Sequence, residues 1–387
     1  MHYSPIARLA ATAAVALLIA GCGSDTTNHP DDDDGNDRPA SAGWTSITTG
    51  YYQACGVHAP GTLWCWEPNA YGAGEPDGQA SGPYTPVQVG SEDNWTQVST
   101  SFYSTCGIRD DNTLWCWGSN ANLGIGVGNA DDEADYERPT QVGADDAWAS
   151  VEVGEYATCA ITTAGELWCW GSNYYSSVGD GTFTDVLFPI QVGTGTTWEQ
   201  VSSGASRTCA LDGDHTLWCW GGDSADEATE PQHPEQVGDP TIEWESIRVG
   251  GSLVCGLDTS GRIHCDIFPD PDSDEHVTIP ENASYTTFGL GESLCAVEEG
   301  TQLVCLGAND FGQLGTHEVD ESLEFVAVEA TPGGGGWRDV SVGDGYNCAI
   351  DDAGDAWCWG ATSRSHNEST DPLIDPAVPQ QIEPGAS

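Results

Sequence analysis

Fourteen of the 15 cysteines stand in seven pairs, and the two members of each pair are ten residues apart. The pairs are Cys55 and Cys65, Cys106 and Cys116, Cys159 and Cys169, Cys209 and Cys219, Cys255 and Cys265, Cys295 and Cys305, and Cys348 and Cys358. Zinc sites use closer C-x2-4-C pairs, so this spacing does not suit a metal. Turn-forming residues near each midpoint indicate a β-hairpin, which places the two cysteines opposite each other, with Cα atoms about 4.5–5.5 Å apart. We therefore predict seven structural disulfides, one in each hairpin.

Tryptophan flanks the second cysteine of most pairs. The phrase TLWCWG at residues 113–118 returns at residues 62–66, 166–171, 216–221 and 355–360, with weaker copies at 262–266 (RIHCD) and 302–307 (QLVCLG). In a strand, Leu114 and Cys116 lie on one face and both tryptophans on the other. Both faces are apolar, which predicts a strand buried on both sides between neighbouring units. A tryptophan stripe can also stack on carbohydrate, but its recurrence with the cysteines favours core packing.

These landmarks divide residues 44–387 into seven units, which start near residues 44, 95, 148, 198, 244, 285 and 337. Each unit contains an opening strand, a first-cysteine strand, a Trp-Cys-Trp strand and a Pro-x-x-Val type strand. Four short strands cannot bury both of their faces alone, so the pattern predicts an all-β, seven-bladed β-propeller with one intra-blade disulfide per blade. The first unit has no proline strand ahead of it, and we expect the C-terminal strand to close the ring onto the first blade.

The N-terminus carries an export signal. Residues 9–20 (LAATAAVALLIA) form an apolar run that is short for a membrane span, and residues 1–21 together fit a lipoprotein signal peptide. The run ends in Ile19-Ala20-Gly21-Cys22, which resembles the lipobox of bacterial lipoproteins, where the signal is cut before the cysteine and the thiol is acylated. We predict lipidation of Cys22, an Asp-rich disordered tether over 22–43, and anchoring in the bacterial cell envelope, at the outer membrane or cell surface. An ordinary signal peptide with an incidental cysteine is the alternative.

The units resemble the regulator-of-chromosome-condensation repeat family. Residues 307–315 (GANDFGQLG) are close to the family phrase G-x-N-x-x-G-Q-L-G, and residues 118–120 and 171–173 repeat its opening. The resemblance covers about residues 44–383 and implies a seven-bladed propeller that binds other proteins. Bacterial members with paired cysteines often carry a histidine two residues before the first cysteine. Other residues stand there in this chain, so any role of that histidine is lost: Gln53, Ser104, Ala157, Arg207, Leu253, Ser293 and Tyr346.

The charge of the chain limits its partners. There are 61 acidic and 9 basic residues, for a formal charge of −52. Binding to nucleic acid needs clustered Lys and Arg, so the composition excludes it as a partner. The same shortage argues against a basic patch for anionic lipid, which leaves the lipid anchor as the expected membrane contact. We predict a monomeric protein-binding module for an unidentified protein ligand, with a cationic ligand as one option.

No motif indicates an enzyme. The sequence has no G-x-S-x-G or H-E-x-x-H phrase, and its 9 histidines share no spacing. We therefore predict no catalytic, cofactor-binding or metal-binding residues. Three alternatives stay open: a secreted-type enzyme inhibitor, since one bacterial relative of this shape inhibits β-lactamase; a propeller lyase or hydrolase with a funnel active site; and a calcium-dependent surface protein. The calcium alternative depends on residues 270–281 and on the acidic run 31–37, although Glu275 occupies the position where a calcium loop needs glycine.

Overall fold

Seven antiparallel sheets form the fold. The computed structural model describes residues 43–51, 53–66, 84–128, 135–143, 147–222, 233–251, 253–265, 279–280, 282–299, 302–317, 319, 321–329, 335–360 and 377–384. Regular structure in these ranges is all β, and consecutive sheets pack side by side as the blades of a propeller. This confirms the predicted fold class. Within the same ranges, no helix has the length and apolar character needed to cross a membrane.

Each blade is an up-and-down meander of consecutive strands. Blades 1 and 2 contain β1 (Trp44–Thr49), β2 (Ala54–His58), β3 (Thr62–Trp66), β4 (Val87–Gln88), β5 (Trp95–Thr100), β6 (Ser104–Arg109), β7 (Leu114–Ser119) and β8 (Asp135–Val142). Blades 3 and 4 contain β9 (Trp148–Val153), β10 (Ala157–Thr162), β11 (Leu167–Gly171), β12 (Val186–Val192), β13 (Trp198–Ser203), β14 (Arg207–Asp212), β15 (Leu217–Gly221) and β16 (Glu235–Gln236). Blade 5 has three strands among the described residues: β17 (Trp244–Gly250), β18 (Leu253–Asp258) and β19 (Ile263–His264). Blades 6 and 7 contain β20 (Tyr285–Leu290), β21 (Ser293–Glu298), β22 (Leu303–Ala308), β23 (Glu321–Ala327), β24 (Trp337–Val342), β25 (Tyr346–Asp351), β26 (Ala356–Gly360) and β27 (Gln380–Ile382).

The seven predicted disulfides are present, one in each blade. Each joins the second and third strands, and the Cα atoms lie 4.0–4.2 Å apart, slightly closer than we expected. In six blades the two cysteines are direct partners in the strand register, as with Cys159 and Cys169. Most of the cystine sulfurs lie in the apolar clusters between blades, because the alternation of each strand turns Leu and Cys to the same buried face.

The second tryptophan of the repeated phrase links neighbouring blades. Its indole N–H donates a hydrogen bond to a backbone carbonyl in the Gly-x-Asn turn of the preceding blade. The bonds run from Trp170 to Gly124 (2.8 Å), from Trp220 to Ser177 (2.8 Å) and from Trp359 to Gln313 (2.9 Å). Two residues after the acceptor, Gly126 and Gly179 lie against the indole with φ of 75° and 81°, where a side chain has no room. The Trp-Cys-Trp phrase and the glycine-rich turn are thus two halves of one inter-blade contact.

The first tryptophan of the phrase is less buried than we predicted. Trp64, Trp115, Trp168 and Trp218 are only partly buried, whereas the second tryptophan is buried in each of these blades. In blades 3 and 4 the first indole meets the opening tryptophan of its own blade edge to face, Trp168 with Trp148 and Trp218 with Trp198. The side of the strand that bears Leu and Cys is therefore fully buried. The side that bears the two tryptophans is fully buried only at the second tryptophan.

Ring closure differs from the expectation. Strand β27 pairs with β26 of its own blade, with Cys358 opposite Gln380. Strand β4 fills the outer place of blade 1, with Cys65 opposite Val87. The prediction that the C-terminal strand closes the ring onto the first blade is therefore wrong. Among the described residues, each fourth strand pairs with the third strand of its own blade, and none of these strands is left over to close the ring.

Blades 7 and 1 meet through side chains and loops instead of a shared strand. The Trp44 backbone N–H donates to Gly354 O at 2.8 Å, and its indole N–H donates to Ile382 O at 3.2 Å. The Trp66 indole N–H donates to the Tyr346 hydroxyl at 3.0 Å. An apolar cluster with residues from both blades fills this contact. The second tryptophan of blade 1 thus donates to a tyrosine hydroxyl of the preceding blade. In blades 3, 4 and 7 the second tryptophan donates to a backbone carbonyl of the turn in the preceding blade instead.

Candidate functional site: the central channel and its mouth

The first strands of the seven blades line a central channel, which holds a cavity of about 440 Å³. Strand alternation decides which side chains reach it. The third residue after the opening aromatic residue is buried between blades in every unit: Ile47, Val98, Val151, Val201, Ile247, Phe288 and Val340. The second and fourth residues line the cavity in most units, and most of them are polar. The channel is therefore a polar passage through an apolar ring.

Most polar side chains of the channel hold adjacent blades together. The Gln97 side-chain amide accepts a hydrogen bond from Val151 N at 3.2 Å and donates to Val151 O at 3.3 Å. Gln200 forms the same pair of hydrogen bonds with the backbone of Ile247. The hydroxyls of three serines accept hydrogen bonds from backbone amides of the next blade: Ser99 from Val153, Ser202 from Val249, and Ser341 from Thr49. These groups perform a structural task that needs no ligand.

Three charged side chains depart from this pattern. Glu152 and Arg248 occupy the position of these serines in blades 3 and 5, and Asp339 occupies the position of the glutamines in blade 7. Arg248 and Asp339 form hydrogen bonds within their own strands: Arg248 Nη1 donates to Ile247 O at 2.9 Å, and Asp339 accepts from Val340 N at 2.9 Å. Among the residues that the structure describes, none of the three lies within 4.0 Å of an opposite charge.

The channel shifts the acidity of both carboxyl groups. Burial raises the pKa of Glu152 to about 7, although the positive charge of Arg248 and a hydrogen bond from Ser99 work in the opposite direction. Burial also raises the pKa of Asp339, again against the positive charge of Arg248. Arg248 is thus the common counter-charge of two carboxyl groups that it does not contact directly. The three groups line the same cavity.

One end of the channel is acidic and aromatic. We define the channel mouth by Tyr51, Phe102, Glu155, Glu292 and Asp344, which belong to loops that follow the first strands. Tyr51 and Phe102 stack with ring centroids 4.3 Å apart. Burial, together with the negative charges of Glu292 and Glu155, raises the pKa of Asp344 to about 6. Carboxylates of different blades therefore repel one another at the mouth.

Tyrosines next to the mouth extend this surface. Burial and the adjacent Glu155 raise the pKa of Tyr156 to about 12, so its hydroxyl stays protonated and available as a donor. Tyr156 meets Tyr175 edge to face at 5.1 Å, and Tyr175 meets the half-exposed Tyr174 at 5.0 Å. The mouth thus combines negative charge with π faces, the two features that attract a guanidinium or ammonium group.

The residues predicted from sequence lie elsewhere. The disulfides are inside the blades and do not line the cavity. Cys22 and the acidic run 31–37 lie outside the described residues, as do most of residues 270–281. In the described ranges, no group of three His, Cys, Asp or Glu residues is placed to hold a metal ion. Of the residues that replace the family's histidine, Gln53 donates to Thr105 of the next blade at 3.1 Å, which is again a structural contact.

The sequence contained a signal for the channel charges that we did not use. Aligning the seven units on the opening residue shows that the fourth following position is Thr, Ser or Gly except at Glu152 and Arg248. Similarly, Asp339 is the one charged residue at the second following position. A charged residue at an alignment position that otherwise holds uncharged residues is a candidate for function, once it is known that this position faces the channel.

Solved structures share this architecture. Yeast RCC1 (Prp20), in a structure with Kap60, matches with a TM-score of 0.69 over 96% of this chain and 92% of that one, at 14% identity. Human WBSCR16 matches with a TM-score of 0.65 over 78% of this chain and 84% of that one, at 18% identity. At such identities the likeness establishes the fold alone.

The sequence comparisons identify the repeats. The regulator of chromosome condensation (RCC1) repeat matches residues 95–122, 148–176 and 198–225, and a second profile of the same repeat matches 164–211. The mitochondrial RCC1 domain-containing protein RUG3 of Arabidopsis thaliana is 32% identical over 99 residues, which are 23% of this chain. The match spans about a fifth of that relative's length, 22%. Blades 2 to 4 therefore carry RCC1 repeats, at the residues matched within 95–225.

Proposed function

We propose that this protein is an interaction module that binds a protein partner at the channel mouth. Support comes from the family, in which the solved structures of yeast Prp20 concern its complex with Kap60 and its binding to Gsp1p and histones. Those partners belong to the yeast protein and are not transferred to this chain. The family relation supports the class of function, a propeller that binds other proteins.

The carboxylates of the channel mouth carry the proposal. Glu155, Glu292 and Asp344 come from blades 3, 6 and 7, and their mutual repulsion contributes to the raised pKa of Asp344. A Lys or Arg side chain of a partner would relieve this repulsion and could also stack on Tyr51 or Phe102. The favoured partner is therefore a protein with a basic segment. The inhibitor, enzyme and calcium alternatives gain no support from the described residues.

The proposal is tested by affinity capture from the native envelope with two matched variants. The mouth variant E155Q/E292Q/D344N removes three negative charges at the mouth. The control variant E166Q/E245Q/E299Q removes three exposed negative charges near the opposite end of the blades. We expect the mouth variant to lose the captured partner and the control variant to retain it. Equal capture by both variants would refute binding at the mouth.

We also propose that the propeller is tethered to a bacterial membrane by acylation of Cys22. The observation behind this is the Ile19-Ala20-Gly21-Cys22 sequence at the end of an apolar run. Cys22→Ser is expected to move the protein from the membrane fraction to the soluble fraction, with an unchanged Tm because the residue precedes all seven blades. Labelling with a fatty-acid analogue measures acylation directly. A variant that is still labelled would contradict the assignment.

A further inference from the structure

Comparing the same position of the first strand in different blades shows which channel residues are structural. In blades 2, 4 and 7 the fourth residue of the first strand is a serine that binds a backbone amide of the next blade. Glu152 and Arg248 stand at this position in blades 3 and 5, and neither has a bond of that kind among the contacts between described residues. The blades therefore pack without this bond at several positions, Gly289 of blade 6 among them. Two of these positions carry charged groups, Glu152 and Arg248, and both line the cavity.

Charge in such a passage is costly unless it is compensated. A buried ionised group loses several kcal/mol of hydration unless a partner replaces the water. Arg248 carries five N–H donors and uses Nη1 for Ile247 O, while both carboxyl groups that it attracts remain more than 4.0 Å away. The guanidinium and the two carboxylates are therefore held apart by the blades that bear them.

A singly charged ligand does not suit this arrangement. A simple anion near Arg248 is repelled by Glu152 and Asp339, and a simple cation near the carboxylates is repelled by Arg248. A molecule that bears both charges, separated by a short linker, pairs with all three groups at once. It also carries no net charge, so the overall charge of −52 does not oppose its entry.

We propose that the central channel binds a small zwitterion, whose carboxylate pairs with Arg248 and whose ammonium group lies between Glu152 and Asp339. The cavity of about 440 Å³ accommodates a molecule of amino-acid size, and its lining continues through Tyr51, Phe102 and Asp344 to the mouth. The channel mouth opens into this same cavity, but the three groups that pair with the zwitterion are not among the residues that define the mouth.

Calorimetric titration of the intact propeller tests the site. The probes are glycine, β-alanine, γ-aminobutyrate and 6-aminohexanoate, with ethylammonium and acetate as singly charged comparisons. The pH is kept above the pKa of Glu152, which lies at about 7. We expect at least one zwitterion to bind with a Kd below ~1 mM and the single charges to bind at least about tenfold more weakly. Failure of every zwitterion to bind better than ethylammonium and acetate would overturn the proposal.

Variants assign the binding to the channel. R248Q is expected to weaken zwitterion binding about tenfold or more, whereas R262Q, which removes an exposed arginine outside the channel, leaves it unchanged. E152Q/D339N provides a second test if R248Q does not fold, with E166Q/E299Q, two exposed glutamates outside the channel, as its control. Unchanged binding in a folded channel variant would contradict the site. The E155Q/E292Q/D344N variant separates the two proposals, because it removes partner capture and leaves Arg248, Glu152 and Asp339 in place.

Discussion

His264 takes the place in blade 5 that the first tryptophan of the repeated phrase holds in other blades. In blades 4 and 7 that indole N–H donates to the aspartate at the end of the second strand: Trp218 to Asp212 at 2.8 Å and Trp357 to Asp351 at 3.0 Å. His264 Nε2 lies 2.7 Å from Asp258 Oδ2, and its ring meets Trp244 edge to face at 5.4 Å. The imidazole therefore makes both contacts that the indole makes in other blades. The RIHCD sequence of blade 5 thus takes the structural role of the Trp-Cys-Trp phrase at this position.

Substitution of Asp258 tests this contact. Its carboxylate accepts bonds from Ser260 N (2.8 Å), Ser260 Oγ (2.6 Å) and Arg262 N (3.1 Å) as well as facing His264. Burial acts to raise its pKa, but the bonds from Ser260 and His264 outweigh burial and lower the pKa to about 2. A depressed pKa stabilises the folded state above the ordinary value of 3.8, and this contribution is lost as the pH falls through about 2.

We therefore expect D258N to lower the free energy of unfolding by about 2 kcal/mol at neutral pH. Denaturant unfolding from neutral pH down to the acid range measures the difference from the unmodified protein, which should shrink between pH 3.8 and about 2. D239N, which removes a fully exposed aspartate from a similar turn with Thr241, should have little effect. A D258N effect that is constant over this range would mean that the carboxylate charge is not what stabilises the turn.

At the scale of the element, the blade interface depends on one carbonyl that receives two donors. Gly124 O accepts from the Trp170 indole and from the Thr158 hydroxyl, and Ser177 O accepts from Trp220 and Thr208 in the same way. Both donors come from the following blade. Because the carbonyl sits in the tight turn after the third strand, the turn and the next blade stabilise each other.

Two tryptophan substitutions in one strand separate this contact from simple packing. W170F removes the buried indole N–H that binds Gly124 O, whereas W168F removes an indole N–H that has no hydrogen-bond partner among the described residues. We expect W170F to cost about 2 kcal/mol of unfolding free energy and W168F clearly less. Tm and denaturant midpoints of both variants measure this. Equal destabilisation would indicate that ring volume alone matters.

Sequence reasoning succeeded where the pattern was local and periodic. The cysteine spacing and the recurring tryptophans define hairpins, and stacking of incomplete hairpins requires the propeller. It failed on closure, because the strand partner of residues 379–382 depends on where each connecting segment leads, which the periodicity does not show. It also missed Glu152, Arg248 and Asp339, because they come from three different blades and only the ring brings them together around the channel.

At the scale of the whole molecule, the ring is joined by the contact of blades 7 and 1. Trp44 is 2% exposed there and Ile382 is also 2% exposed, so residues from both ends of the propeller bury each other. Elsewhere in the ring, neighbouring blades are also joined by covalent chain, which limits their separation. Between blades 7 and 1 the noncovalent contact has no such support.

Deletion of residues 377–387 is therefore expected to lower the Tm far more than an ordinary tail truncation. It removes β27 and the Ile382 carbonyl that binds the Trp44 indole, and it exposes that indole to water. Thermal unfolding under oxidising conditions measures the change. Deletion of residues 23–40, with the signal replaced, is the control and should leave the Tm nearly unchanged. If the C-terminal deletion melts at the same temperature as the intact protein, the contact between the first and last blades does not hold the ring together.

The position of the disulfides also bears on how the protein is made. Every cystine joins residues ten positions apart, and none joins two blades. As the chain emerges from a ribosome or a secretion pore, each pair can oxidise once its own hairpin has emerged, before the next pair appears. At that moment the nearest thiol is the native partner, so correct pairing follows the order of emergence. Fourteen cysteines therefore need little reshuffling, and an oxidant alone can complete the set one blade at a time.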